Sequence, residues 1–309
     1  MSLLFACAGV PPEPWVEAIS GELPDLDIRV WPEYGAPEEV EYALLWGNLV
    51  HEMGRFPNLK ALLSFGAGVD HILKAPEIPG DLPIVRLGDP AMQTGMAEYV
   101  LYNVLRFHRR FHDYEAQQRR GLWIEHAQRL PERRRVGILG LGTLGLACAQ
   151  SLTALGFDVL GWSRSDKTID TVRCFSGPDG LKPFLNQSEM LVCLLPLTAE
   201  TENILNHDLF ADLPMGSFLI NAGRGAHLVE EDLLAALEND RIAGAALDVF
   251  RTEPLPKDHP FWSHPKIAVT PHVAALVNIS TATAAIADTI RRIRTGQELI
   301  DLAERSRGY

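Results

Sequence analysis

Cysteine is scarce in this chain of 309 residues: Cys7, Cys148, Cys174 and Cys193 share no CxxC spacing and no repeat. Thiols so placed argue against a disulfide framework or a metal site and fit a reducing, cytoplasmic compartment. Long apolar runs are missing too. The longest, Leu3 to Ala8 and Met190 to Leu195, span six residues, against the ~20 that a membrane helix needs. No basic residue precedes the first run, and Pro11, Pro12 and Pro14 follow it, so no secretory signal is expected. Positive charge is in short supply. Lys and Arg total 28 against 40 Asp and Glu, a net charge of −12, which argues against a general partner for nucleic acid or anionic membrane. Nine Arg against four acidic residues between Arg106 and Arg135 read as an exposed helix and polar linker, or a subunit interface.

What is present is an ordinary globular composition, 47% hydrophobic, with length enough for two domains. Short apolar runs recur between helix-length stretches. In the first third, Leu3–Gly9, Asp27–Trp31, Tyr42–Gly47, Leu59–Phe65 and Ile84–Leu87 read as strands buried on both faces. A long helical pattern follows from Thr94 to Gly121, with Met96, Val100, Val104 and Phe107 on one stripe. A second series comprises Arg135–Leu139, Asp158–Trp162, Met190–Leu195, Ser217–Asn221, Gly244–Val249 and Lys266–Thr270, and a last helix runs from Ser280 to Arg294. Strands alternating with helices predict an α/β protein: two Rossmann-like or flavodoxin-like parallel-sheet domains flanking a cleft.

The sharpest local motif is Gly140-Leu141-Gly142-Thr143-Leu144-Gly145, which follows an apolar strand and opens a helical stretch. In that context GxGxxG is a dinucleotide-binding turn: the glycines permit the tight turn, the approach of a pyrophosphate and close helix–strand packing. The helix N-terminus then meets the phosphates with its N–H groups and positive dipole. At the end of the next strand an NAD site expects a carboxylate. The chain reads Trp162-Ser163-Arg164-Ser165-Asp166 instead. Arg164 flanked by two hydroxyls suits a 2′-phosphate through charge-assisted hydrogen bonds. NADP(H) is therefore the preferred cofactor, with NAD(H) possible; Asp166 is a counter-signal that Lys167 partly offsets.

Three more stretches sit where strands of the second series end: Asn221-Ala222-Gly223-Arg224-Gly225, Asp248-Val249-Phe250-Arg251-Thr252-Glu253-Pro254-Leu255 and Thr270-Pro271-His272-Val273-Ala274-Ala275. With the glycine turn, Phe65-Gly66-Ala67-Gly68-Val69-Asp70 and Leu195-Pro196-Leu197-Thr198, they stand in the order and register of one family. The chain resembles the D-2-hydroxyacid dehydrogenases along its whole length. Trp162-Ser163-Arg164, the Arg109–Tyr114 stretch, Val249–Leu255 and Arg307-Gly308-Tyr309 resemble the members that reduce glyoxylate and hydroxypyruvate.

Reduction of a 2-keto acid needs a hydride, a proton and a cation for the carboxylate. Arg224 offers a planar fork for the carboxylate and keto oxygen and polarises the carbonyl. His272 is suited to donate the proton, and Glu253 to orient the imidazole by a hydrogen bond. Backbone N–H groups of Ala67, Gly68 and Val69 are candidates for the substrate carboxylate, and Trp46 for restricting the pocket to small substrates. For the cofactor, Thr143, Leu144 and Ala222 join the glycines and Ser163–Ser165, and the resemblance places Leu195, Pro196 and Asp248 by the nicotinamide. It also implies a substrate domain of residues 1–98 plus 275–309 and a cofactor domain of 99–274. A homodimer is expected, with Thr94–Gly121 as the interface. His227 reads as lining, and His108, His112 and His126 as residues of a helix surface. Two other readings share the fold: a nicotinamide-binding regulator or redox sensor with little turnover, and a dehydrogenase of another substrate, such as formate or phosphite.

Overall fold

The computed structural model describes residues 2–308, apart from the side chain of Ser306; Tyr309 lies outside them. The chain divides into two compact units, one formed by residues up to Met92 and from Val277 onward, the other by Gln93–Leu276.

The first unit holds a five-stranded sheet: β1 (Ser2–Cys7), β2 (Asp27–Val30), β3 (Val40–Trp46), β4 (Ala61–Ser64) and β5 (Ile84–Arg86), all parallel, in the order β2-β1-β3-β4-β5. Alternation along each strand sends side chains to opposite faces. Leu3, Phe5 and Cys7 of β1 join one core with Trp15 and Ile19 of α1 (Glu13–Glu22). Leu4 and Ala6 join the other, with Val50, Met53 and Ile72, the last from the short α2 (Asp70–Leu73).

The second unit begins with α3 (Pro90–His108, whose first turn lies in the first unit) and α4 (Phe111–Arg119). The predicted continuous helix Thr94–Gly121 is thus two helices. Arg110 takes a left-handed conformation, φ 60°. The turn brings His112 against Phe107 and Phe218, and Arg106 to Glu115 at 2.6 Å. The expectation for the surface histidines also needs correction. His108 is buried against Phe157, His112 packs on Phe107 and Phe218, and His126 lies beyond α4 beside Tyr114.

Seven parallel strands follow: β6 (Arg135–Leu139), β7 (Asp158–Ser163), β8 (Val172–Ser176), β9 (Met190–Cys193), β10 (Ser217–Asn221), β11 (Ile242–Leu247) and β12 (Ile267–Val269). Their order is β12-β11-β10-β9-β6-β7-β8. β8 is absent from the predicted set. It is an edge strand on which only Val172 is buried, too short and too exposed to show a pattern. The intervening helices are α5 (Thr143–Ala154), α6 (Gly177–Leu185), α7 (His207–Asp212) and α8 (Glu230–Glu238). One face buries Val136, Val192 and Ile220 with α3 and α5; the other buries Leu139, Leu191 and Leu219 with Phe184, Leu209 and Leu233. Each such side chain contributes about 2 kcal/mol, whereas an exposed pair such as Arg173–Asp158 adds under ~1 kcal/mol. The cores therefore set the strand order. Connectivity reverses between β6 and β9, the point at which open parallel sheets bind ligands.

The last helix, α9 (Ile279–Thr295), belongs to the first unit, where Ala282, Ile286 and Ile290 complete the core with α1. No helix among the described residues is long and apolar enough to cross a membrane.

Candidate active site

Every motif of the second unit occupies the loop after a strand, on the carboxyl edge of the seven-stranded sheet. After β6, the Gly140 N–H donates to the Trp162 carbonyl at 2.9 Å. A Cβ on Gly145 would stand 1.9 Å from the Gly140 carbonyl, so strand and helix approach as only glycine allows. A Cβ on Gly142 would meet nothing within 4 Å. No side chain caps the α5 N-terminus at Gly142, so Thr143 and Leu144 open a helix whose end is shaped for phosphate. The arrangement fits a dinucleotide pyrophosphate.

The loop after β7 carries the residues proposed for the 2′-phosphate. Ser163 is buried and its hydroxyl donates to the Ser165 carbonyl at 2.8 Å. The Trp162 indole donates to Gly177 at 2.9 Å and fixes the strand end. Asp166, the counter-signal for NADP, accepts a hydrogen bond from the Ser176 hydroxyl. Lys167 donates to the Leu141 carbonyl, tying this loop to the glycine turn. A cationic, hydroxyl-lined loop held to the turn suits a 2′-phosphate rather than a bare ribose.

After β10, the side chain of buried Asn221 bridges its own loop, accepting from the Gly223 N–H and donating to the Arg224 carbonyl, each at 3.2 Å. The Arg224 guanidinium donates to the Gly223 carbonyl at 2.9 Å. A Cβ on Gly225 would lie 1.9 Å from the Phe250 carbonyl carbon, so Arg224 is presented where its loop is pressed against the loop after β11.

That second loop carries Glu253, whose carboxylate accepts from the Phe250 N–H at 2.9 Å and meets His272 Nδ1 at 2.7 Å. Partial burial pushes the Glu253 carboxyl upward. The hydrogen bonds from His272 and Phe250, with the pull of the His272 and Arg224 charges, outweigh that and hold it below the ordinary glutamate range. The predicted Glu253–His272 pair is present, with Arg224 in electrostatic reach.

His272 itself has a φ of 54°, a left-handed conformation that costs a non-glycine residue about 1–2 kcal/mol. Asp248 offsets it. This buried acid accepts from Thr270 Oγ1 at 2.6 Å and from the Val273 and Ala274 N–H groups at 2.9 Å, and its own carbonyl accepts from the His272 N–H at 2.8 Å. The clamp is a second part for Asp248, which the resemblance sets by the nicotinamide, and no sequence spacing announces it. Nor does one announce Tyr99 on α3, which meets Thr270 Oγ1 at 3.0 Å. Thr270 gives its proton to the carboxylate, so Tyr99 is the donor to Thr270. Burial pushes the Tyr99 phenol far above its ordinary range and keeps it a donor.

In the first unit, the loop after β4 carries Ala67, Gly68 and Val69. Ser64 donates to the Gly68 carbonyl at 3.2 Å and Val69 is buried. Trp46, at the end of β3, covers Gly66 so closely that a Cβ there would lie 2.7 Å from its ring. The indole therefore backs the loop.

Comparison with known proteins agrees with this arrangement. The family model described as D-isomer specific 2-hydroxyacid dehydrogenase, NAD binding domain, matches residues 101–274. A glyoxylate/hydroxypyruvate reductase A from Serratia proteamaculans is 41% identical over 314 aligned residues that cover both chains completely. A D-isomer specific 2-hydroxyacid dehydrogenase from Xanthobacter autotrophicus Py2, solved with NADPH and MES, is 42% identical with a TM-score of 0.96, covering 100% of this chain and 99% of that one. An NADPH-dependent glyoxylate/hydroxypyruvate reductase from Sinorhizobium meliloti, solved with NADP and sulfate, is 36% identical with a TM-score of 0.94 over the same shares. On its sequence, its two parallel sheets and the residues at the edge of the second, this chain belongs to the D-isomer specific 2-hydroxyacid dehydrogenase family.

Proposed function

We propose that this protein reduces small 2-keto acids, glyoxylate to glycolate and hydroxypyruvate to glycerate, with NADPH preferred over NADH. The observation that carries the reading is the Glu253–His272 contact at 2.7 Å on a loop clamped by Asp248, beside Arg224. When bound, NADPH supplies the hydride for the carbonyl carbon. Arg224 holds the substrate carboxylate and keto oxygen and offsets the negative charge that grows on oxygen. His272 gives that oxygen its proton. With Nδ1 taken by Glu253, the transfer falls to Nε2. The N–H groups of Ala67, Gly68 and Val69 are assigned to the carboxylate and Trp46 to the limit on substrate size, which makes residues 1–98 with 275–309 the substrate domain and 99–274 the cofactor domain. Arg164, Ser163 and Ser165 take the 2′-phosphate, and Leu195, Pro196, Ala222 and Asp248 the nicotinamide side. The relatives with NADPH or NADP bound support the cofactor assignment.

The test follows the absorbance of NADPH and of NADH as glyoxylate, hydroxypyruvate and pyruvate are added to the purified protein. Fast NADPH loss with either of the first two is expected. Tight dinucleotide binding without loss on any keto acid would turn the assignment toward a regulator. The reading includes a homodimer built on α3 and α4, where Tyr102 and Phe111 are exposed and where Tyr102, Arg106, Phe111 and Tyr114 line a groove. A monomeric mass in sedimentation would refute that part. A cytoplasmic location is supported by four free thiols, three of them buried.

A further inference from the structure

His227 follows Arg224 by three residues and is fully buried, with 0% of its surface exposed. It therefore cannot touch substrate. Its ring nonetheless joins two loops of the site. Nδ1 faces two donors: the Arg224 backbone N–H at 3.1 Å and the Cys193 thiol at 3.8 Å. Nε2 faces one acceptor, the Pro196 carbonyl, at 3.3 Å. Burial pushes the Cys193 thiol up to about 12, so the sulfur stays protonated and donates. Two donors on one nitrogen and an acceptor on the other specify a neutral imidazole with its proton on Nε2.

We propose that His227 is a positioning residue for Arg224: as an Nε2–H imidazole it fixes the Arg224 backbone against the Pro196 loop and so sets where the guanidinium meets the substrate carboxylate. The ring lies against the backbone it steadies. A Cβ on Gly223 would stand 3.1 Å from His227 Cε1 and Nδ1, so the glycine makes room for the imidazole beside the loop. The backbone of the segment is held independently of the ring. Leu205 N–H donates to the His227 carbonyl at 2.9 Å and Arg251 Nε to the Leu228 carbonyl at 2.8 Å. Changing the ring therefore removes its contacts to Arg224, Cys193 and Pro196 while the segment keeps its place. Thr201 also donates to the Pro196 carbonyl, at 2.7 Å, so that loop retains a second anchor, whereas the imidazole satisfies an Arg224 N–H inside the protein. The Arg224 end is the more sensitive one.

The proposal rests on the keto-acid reductase reading, and its test separates the two amide isosteres. Asn at 227 keeps an oxygen near the place of Nδ1 and can still accept from Arg224; Gln carries its amide to the place of Nε2 and leaves the Arg224 N–H without an acceptor. In steady-state kinetics with NADPH and glyoxylate, His227→Gln is expected to raise the KM for glyoxylate about tenfold, the scale of a small misplacement of a binding group. His227→Asn is expected to stay within about threefold of the parent. A packing role alone would move both variants alike, and equal effects, or none, would overturn the proposal. Nitrogen-15 NMR of the histidine rings in the unliganded protein provides a readout that does not depend on turnover. A proton on His227 Nε2 is expected, and a proton on Nδ1 would overturn the assignment even if no keto acid is reduced.

Discussion

The His272 N–H donates to the Asp248 carbonyl at 2.8 Å while the Asp248 carboxylate accepts from the two N–H groups that follow His272 in the chain. One buried acid thus anchors the loop that carries the imidazole, and it does so through backbone, leaving the His272 side chain to Glu253. The left-handed φ of His272 persists because three donors converge on one carboxylate beside it.

Asp248→Asn tests that clamp. An amide has a single acceptor oxygen, and its NH2 group would face a backbone N–H or the Thr270 hydroxyl. Losing a charge-assisted, buried hydrogen bond costs about 1.5–3 kcal/mol. A tenfold to hundredfold drop in kcat is expected, roughly, together with a lower midpoint of thermal unfolding. Tyr99→Phe removes only the outermost donor, worth about 1 kcal/mol, and should leave kcat within a few fold. Equal losses in the two variants would show that Asp248 has no special hold on the loop.

Glu253→Gln examines the pair from the other side. The folded Glu253 carboxyl lies below its ordinary value, so the charged form and its hold on His272 are fully present above the unfolded value of about 4.3. They are lost only as pH falls through the lower, folded value. In kcat/KM for glyoxylate, the parent should exceed the variant above the ordinary glutamate value, and the two should converge only once pH has fallen through the lower, folded value. A gap that instead opened as pH fell would contradict the assignment.

Much of this site is readable from residue order, because a parallel sheet brings the loops after its strands to one edge whatever lies between them. The glycine turn, Arg224, Glu253 and His272 each follow a short apolar run, and the fold needs no more than strand order to gather them. Contacts decided by tertiary packing are different. Nothing in Phe107-His108-Arg109-Arg110-Phe111 announces a helix break, since no Gly or Pro stands there; the left-handed Arg110 is stabilised by His112 on Phe107 and Phe218. His227 and Tyr99 were hidden for a similar reason. Each lies in an ordinary helical or loop context, and their partners Pro196 and Thr270 are distant in sequence.

The proposed NADPH preference assigns the 2′-phosphate to Arg164, on a loop that Lys167 ties to the glycine turn through the Leu141 carbonyl. Arg164→Ala should raise the KM for NADPH by about tenfold or more, the value of a lost charge-assisted hydrogen bond, and hardly change the KM for NADH. Steady-state kinetics with both cofactors distinguish this from a general loss of folding. Equal shifts for the two would remove Arg164 from the phosphate site.

Arg224 is the cation proposed for the substrate, and two variants separate its charge from its shape. One guanidinium N–H donates to the Gly223 carbonyl at 2.9 Å, which fixes the plane of the fork. Arg224→Ala removes charge and fork together and should lower kcat/KM by a hundredfold or more, roughly the effect of deleting a preorganised donor to a developing oxyanion. Arg224→Lys keeps a charge but loses the fork. It should fall between parent and Ala variant, with the KM for glyoxylate recovering more than kcat, because a point charge attracts the carboxylate without aligning the carbonyl. Guanidinium ion added to the Ala variant should restore part of the rate, since the missing group is then supplied from solution. Near-native kcat/KM in Arg224→Ala would dismiss Arg224 from catalysis and move the carboxylate to another cation.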